Sequence, residues 1–93
     1  MSDYRANRQD SQLQLRAPRQ RQRQLRLLDH YGSLLTEHQR RILHLAWELD
    51  WSYGEIAHRE GVTRTAVYDV VRRTTTNLDD YERKLGLERA QRV

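Results

Sequence analysis
Between Ser52 and Arg73 the chain spells two helix starts with one helix stop between them, and this punctuation narrows the available folds more than any other stretch. Ser52 followed three residues later by Glu55 is a capping box, in which each side chain satisfies a backbone N–H that the helix leaves without a partner. Trp51 before the cap and Ile56 after it stand where a hydrophobic staple belongs. Gly61 predicts the end of this helix, because the left-handed conformation of a C′ residue costs glycine almost nothing. Thr63 then caps a second helix, with Val62 and Val67 in a second staple arrangement. Three residues separate the two helices, which is the layout of a helix-turn-helix. The small side chain of Ala57 lets them cross closely.

Ninety-three residues allow one domain at most. The absence of cysteine excludes a disulfide scaffold and a thiolate metal site, and one proline with four glycines points to a helical chain with few irregular loops. No apolar run approaches the length of a membrane span, and Met1-Ser2-Asp3-Tyr4-Arg5 does not open a secretory signal. A soluble, cytoplasmic protein is therefore expected. The net charge of +4 is unevenly placed. Residues 1–24 hold six arginines against two aspartates, whereas the remainder carries eleven basic and eleven acidic residues. The high isoelectric point thus belongs to the N-terminal segment and says little about what the folded part binds.

Residues 1–20 are rich in Arg, Gln and Ser, with Leu13 and Leu15 as their only large aliphatics. Such a segment buries too little surface to offset its chain entropy and reads as a disordered tail. A domain over residues 21–87 is expected to follow, with a short C-terminal tail at 88–93. From about Arg21, Leu25, Leu28 and Tyr31 share one helix face, and Gly32-Ser33 closes that helix. Thr36 and Gln39 form another capping box, opening a helix that carries Ile42, Leu43, Leu45, Ala46, Trp47 and Leu49. Apolar over more than half its circumference, this is the expected central helix. Beyond Thr63, apolar residues recur at spacings of three and four from Val67 to Leu85. That pattern favours one long last helix from Arg64 to about Leu85, the alternative being a break in the weakly helical run Thr74-Thr75-Thr76-Asn77. The expected fold is all-α, a small helical bundle containing the helix-turn-helix.

With Val67, Val70 and Val71 turned inward, the second helix presents Thr63, Arg64, Thr65, Tyr68, Asp69, Arg72 and Arg73 outward. For a helix in the major groove of double-stranded DNA this set is chemically workable. Arginine bonds guanine through two donors, threonine offers a hydroxyl and a methyl, and Tyr68 can reach a phosphate or a thymine methyl. Arg72 and Arg73 fall where phosphate contacts are expected, and Asp69 could accept from cytosine N4. A solvated helix face with ordinary surface pairing would carry the same residues. Arg16, Arg19, Arg21 and Arg23 offer phosphate contacts without sequence preference if the tail touches nucleic acid.

His30, His38, His44 and His58 do not make a metal site, since no two of them sit four residues apart and no cysteine is available. A nucleophile elbow and a phosphate-cradling glycine loop are both missing from the sequence, so neither an enzyme nor a bound cofactor is expected. Asp79, Asp80 and Glu82 form an acidic cluster that reads as solvated.

Four stretches resemble a known family. Leu27-Leu28-Asp29-His30-Tyr31-Gly32-Ser33-Leu34-Leu35-Thr36-Glu37-His38-Gln39 is similar to the opening of the YlxM family of bacterial helix-turn-helix proteins. Ser52-Tyr53-Gly54-Glu55-Ile56-Ala57 and Val62-Thr63-Arg64-Thr65-Ala66-Val67-Tyr68-Asp69 resemble its central motif, and Asp80-Tyr81-Glu82-Arg83-Lys84-Leu85-Gly86-Leu87 its closing one. Together they cover about residues 24–87. The resemblance implies an all-helical fold similar to the promoter-reading region 4 of sigma factors, and a role in transcription regulation. It also implies a link to the signal recognition particle pathway, whose components are then expected partners. Family members continue past the closing motif with helical sequence that helps them pair, so the short C-terminus here counts against a homodimer of that kind. Two functions compete on this reading. One is a DNA-binding regulator; the other is a protein- or ribonucleoprotein-interaction module of the targeting machinery, using the same surface or the stripe from Leu78 to Leu85.

Overall fold
A computed structural model describes residues 18–92. Of the stretch expected as a tail, residues 1–17, Arg16 included, lie outside the described residues. Helix α1 spans Pro18–Tyr31, and a single 3-10 turn, Gly32–Leu34, follows it. Helix α2 runs over Glu37–Leu43 and widens into a π-helical turn at His44–Glu48. The helix-turn-helix is α3, Tyr53–Glu60, and the start of α4, Arg64–Leu85; a short α5 covers Leu87–Arg92. Helix α1 begins three residues before the first position indicated by its apolar pattern. Proline suits the opening turn of a helix, where its fixed φ is helical and its missing N–H would have no partner.

The core gathers one face from each of the first four helices. Leu27, Leu28 and Tyr31 come from α1, Ile42 and Leu43 from α2, Leu45, Ala46 and Trp47 from its π turn, Tyr53, Ile56 and Ala57 from α3, and Val67, Val71 and Leu78 from α4. The π turn was not visible in the sequence. It brings three consecutive residues inward together, and the Leu49 N–H reaches back to the His44 carbonyl at 3.1 Å. Asp50 then takes a left-handed conformation, φ 60°, one of the few non-glycine residue types that visits it readily. Arg21 on α1 secures this end by donating to the Trp47 carbonyl at 3.2 Å and pairing with Asp50.

Helix α4 is continuous for 22 residues and packs against α1, α2, α3 and α5. The β-branched run does not break it. Thr75 and Thr76 donate their hydroxyls to the carbonyls of Val71 and Arg72, at 2.7 and 3.1 Å, while Thr74 and Leu78 are fully buried. Tertiary burial here outweighs weak helix propensity. Leu78 is therefore closed to any partner, and the exposed apolar residues at this end are Leu85 and Leu87.

Residues 87–92, mostly within the expected C-terminal tail, form α5, and Glu88 is buried against Arg26 at 2.6 Å. The acidic cluster is not a uniformly solvated patch either. Asp79 pairs with Arg23 of α1 at 3.2 Å, Asp80 pairs with Arg83 and Lys84, and Glu82 accepts hydrogen bonds from Tyr31 and from the opening N–H groups of α5.

Candidate nucleic-acid interface
The caps that punctuate the sequence are all made. Ser52 Oγ accepts from the Glu55 N–H at 3.1 Å, and Glu55 Oε1 accepts from the Ser52 N–H at 2.8 Å. Gly61 stops α3 at φ 70°; a Cβ there would meet nothing within 4 Å, so backbone conformation alone selects glycine. Thr63 Oγ1 accepts from the Ala66 N–H at 3.0 Å and starts α4. Ile56 and Ala57 of α3 and Val67 and Val71 of α4 are buried in one core, and the two helices pack against each other. This packing fixes the angle at which the first turns of α4 stand out from the body.

Two further contacts brace the pair, one from α2 and one between its own helices. Arg41 of α2 grips Glu60, at the end of α3, with Nη2 at 2.9 Å from Oε1 and Nε at 3.3 Å from Oε2. That bond from Arg41 holds the Glu60 carboxyl below the usual carboxylate range against the opposing effect of burial, and the charges of Arg41, Arg59 and His38 help. Tyr53, buried at the start of α3, meets the exposed Tyr68 edge-on, ring centroids 6.0 Å apart, and so orients that side chain.

The residues expected on the outward face of α4 emerge together. Arg64, Thr65, Tyr68, Arg72 and Arg73 are exposed, Thr63 stands at the helix start with its hydroxyl oxygen used as the cap, and Asp69 is half-buried among them. Asp69 is bonded through both oxygens, to Arg72 Nη2 at 2.9 Å and to Arg73. Hydrogen bonds from Arg72 and Arg73 hold its carboxyl below the ordinary range. Three arginines against one aspartate leave this segment with a local positive excess.

The N-terminal arginines lie elsewhere. Arg19, Arg21 and Arg23 stand on α1, where Arg21 is committed to Trp47 and Asp50 and Arg23 to Asp79, while Arg19 is exposed. Arg59, which no motif in the sequence singles out, is exposed near the end of α3 with its guanidinium 5.8 Å from the centre of the Trp51 ring. The signal was there in an aromatic residue just before the cap and a cation two turns into the helix. Among the described residues no cluster of three or more His, Asp or Glu side chains could hold a metal ion, and no helix is long and apolar enough to cross a membrane.

These elements define a helix-turn-helix protein, with a capped second helix presented at the surface. Comparison with known proteins then places it: the chain belongs to the UPF0122 family of helix-turn-helix proteins, described as YlxM / p13 like, whose model matches residues 18–93. It is similar to a UPF0122 protein of Desulforamulus reducens, 51% identical over 61 residues, covering 66% of this chain and 52% of that protein. A UPF0122 protein of Halalkalibacterium halodurans is 51% identical over 61 residues, 66% of this chain and 56% of its own length. One from Geobacillus kaustophilus is 51% identical over 63 residues, 68% of this chain and 57% of its own. The chain thus spans just over half the length of the curated relatives it matches.

Proposed function
We propose that this protein is a non-enzymatic, cytoplasmic DNA-binding regulator that lays the first turns of α4 in the major groove of duplex DNA. The observation that carries the reading is one exposed face, Arg64, Thr65, Tyr68, Arg72 and Arg73, on a helix whose opposite face is locked into the core by Val67 and Val71. Arg64 is the candidate for bidentate contact with guanine, Thr65 and Tyr68 for thymine methyls or phosphate, and Arg72 and Arg73 for phosphate. Arg59 would add a backbone contact from α3. The family resemblance supports a further step, regulation connected with the signal recognition particle pathway.

A second reading, an interaction module of the targeting machinery without sequence-specific DNA binding, draws support from Leu85 and Leu87, 56% and 47% exposed at the α4–α5 junction. Binding of the full chain to duplex DNA across a salt series separates the two. A DNA reader loses affinity steeply with salt and prefers some sequences over others. Arg64→Ala is expected to cost about 1–3 kcal/mol and relax preference at one position of the site. Salt-insensitive or absent duplex binding, with retention of targeting-machinery components that depends on Leu85 and Leu87, would replace the first reading by the second.

A further inference from the structure
Asp69 occupies the middle of the face proposed to meet DNA, where a carboxylate repels the phosphates that its neighbours would approach. Both of its oxygens hold arginines: Oδ1 accepts from Arg72 Nη2 at 2.9 Å, and Oδ2 accepts from Arg73. The two arginine side chains are otherwise spread into solvent, 72% and 69% exposed. A carboxylate bridging two guanidinium groups offers the same charge-assisted hydrogen bonds that a phosphate would offer. Arginine cannot be deprotonated in this range, and the depressed Asp69 carboxyl stays ionised, so the grip persists throughout the neutral pH range.

We infer that Asp69 is an internal competitor for the DNA backbone, holding Arg72 and Arg73 away from phosphate and so weakening the duplex affinity of the proposed site. The inference rests on the DNA-binding reading. Phosphate contacts supply nearly all of sequence-independent affinity, and base contacts supply discrimination. Any duplex must displace Asp69 before gaining these two arginines.

A matched control lies on the same helix. Eleven residues further on, Asp80 binds Arg83 and, at 3.4 Å, Lys84, repeating the pattern of an aspartate with cations three and four residues later. Eleven residues are three turns, so the second cluster shares the face of the first, roughly 16 Å away along the axis. The major groove is about 12 Å wide, which leaves Asp80 beyond the part of α4 that enters it.

The test is fluorescence anisotropy of the full chain on an unrelated duplex and on a duplex selected by the wild-type chain from a random pool, each over a salt series. Asp69→Asn is expected to tighten binding to the unrelated duplex about three- to tenfold and to steepen its salt slope by up to about 2, one unit for each arginine released to a phosphate. The selected duplex is expected to gain by a similar factor, since it too must displace Asp69. Asp69→Glu, which keeps the charge, is expected to stay near wild type, and Asp80→Asn to change neither duplex. Unchanged or weaker binding of Asp69→Asn to the unrelated duplex would overturn the inference, as would an equal gain from Asp80→Asn. If the wild type binds with dependence on Arg64 and Asp69→Asn changes nothing, only this inference falls. If the wild type binds no duplex, the DNA reading falls and takes it along.

Discussion

The Tyr31 hydroxyl donates to Glu82 Oε1 at 2.7 Å and accepts from the Leu87 N–H at 3.0 Å. Glu82 accepts in turn from the backbone N–H groups of Glu88 and Arg89, each at 3.1 Å. Three N–H groups that open α5 therefore find acceptors on α1 and α4, and Arg26 closes the junction by bonding Glu88. A six-residue helix is too short to persist by itself, so these distant side chains determine that it forms.

Tyr31→Phe keeps the ring in the core but leaves the Leu87 N–H and one Glu82 lone pair without this partner. A loss of about 1–3 kcal/mol is expected, the usual cost of orphaning buried polar groups. Hydrogen exchange should show lost protection at Leu87 to Arg89, with α3 protected as before. Equal loss across all helices would mean that the hydroxyl supports the whole core and not this junction.

The same contact predicts a pH dependence. Burial pushes the Glu82 carboxyl up, but hydrogen bonds from Tyr31, Glu88 and Arg89, with the Arg89 charge, outweigh it and leave the group below the usual carboxylate range. A group whose folded value is depressed stabilises the fold at pH above its ordinary value and loses that contribution as pH falls through the folded value. Glu82→Gln should therefore be less stable than wild type at neutral pH and converge with it in acid, as measured by urea melts over a pH series. Burial, then the hydrogen bond to Glu82, raises the Tyr31 hydroxyl above its ordinary value of 10.0. Its contribution is accordingly intact below that value and lost as pH climbs through the raised one.

Thr74 is fully buried, and its hydroxyl has no hydrogen-bond partner. Thr74→Val exchanges that hydroxyl for a methyl of similar shape and removes a desolvated polar atom. A gain of about 1 kcal/mol is expected, which corresponds to a rise in Tm of about 4–8 °C for a domain of this size. A fall in Tm would show that the hydroxyl has a partner after all.

Ala57 of α3 is buried in the core, and α3 packs against α4. Ala57→Leu overpacks this part of the core at a cost of about 1–3 kcal/mol, read as a lower denaturant midpoint. Because the packing of α3 on α4 sets the attitude of the first turns of α4, the proposed duplex binding should fall in the same variant while Leu87–Arg89 keep their protection.

What could be read from the sequence is what is settled within four residues. The capping boxes at Thr36 and Ser52, the glycine stop at residue 61 and the threonine start at residue 63 are local bargains between a side chain and the nearest backbone. The outward set on α4 was legible for the same reason, since helical spacing fixes which residues share a face. The edge contact of Tyr53 with Tyr68 was hidden, because it joins two helices. So were the pairs that shape the ends: Arg21 with Asp50, Tyr31 with Glu82 and Arg26 with Glu88 meet across 29, 51 and 62 residues of chain. The acidic cluster shows the limit most clearly. Asp79, Asp80 and Glu82 are near neighbours in sequence, yet one ties two helices together, one pairs along its own helix and one caps another.

The unbroken course of α4 has a mechanical consequence. At 22 residues it is a rod of about 33 Å, with Arg64 at one end and the seat of α5 at the other. A rod without a joint cannot roll or tilt at one end alone. The Tyr31–Glu82 bond therefore anchors the far end of the same rod whose first turns carry Arg64.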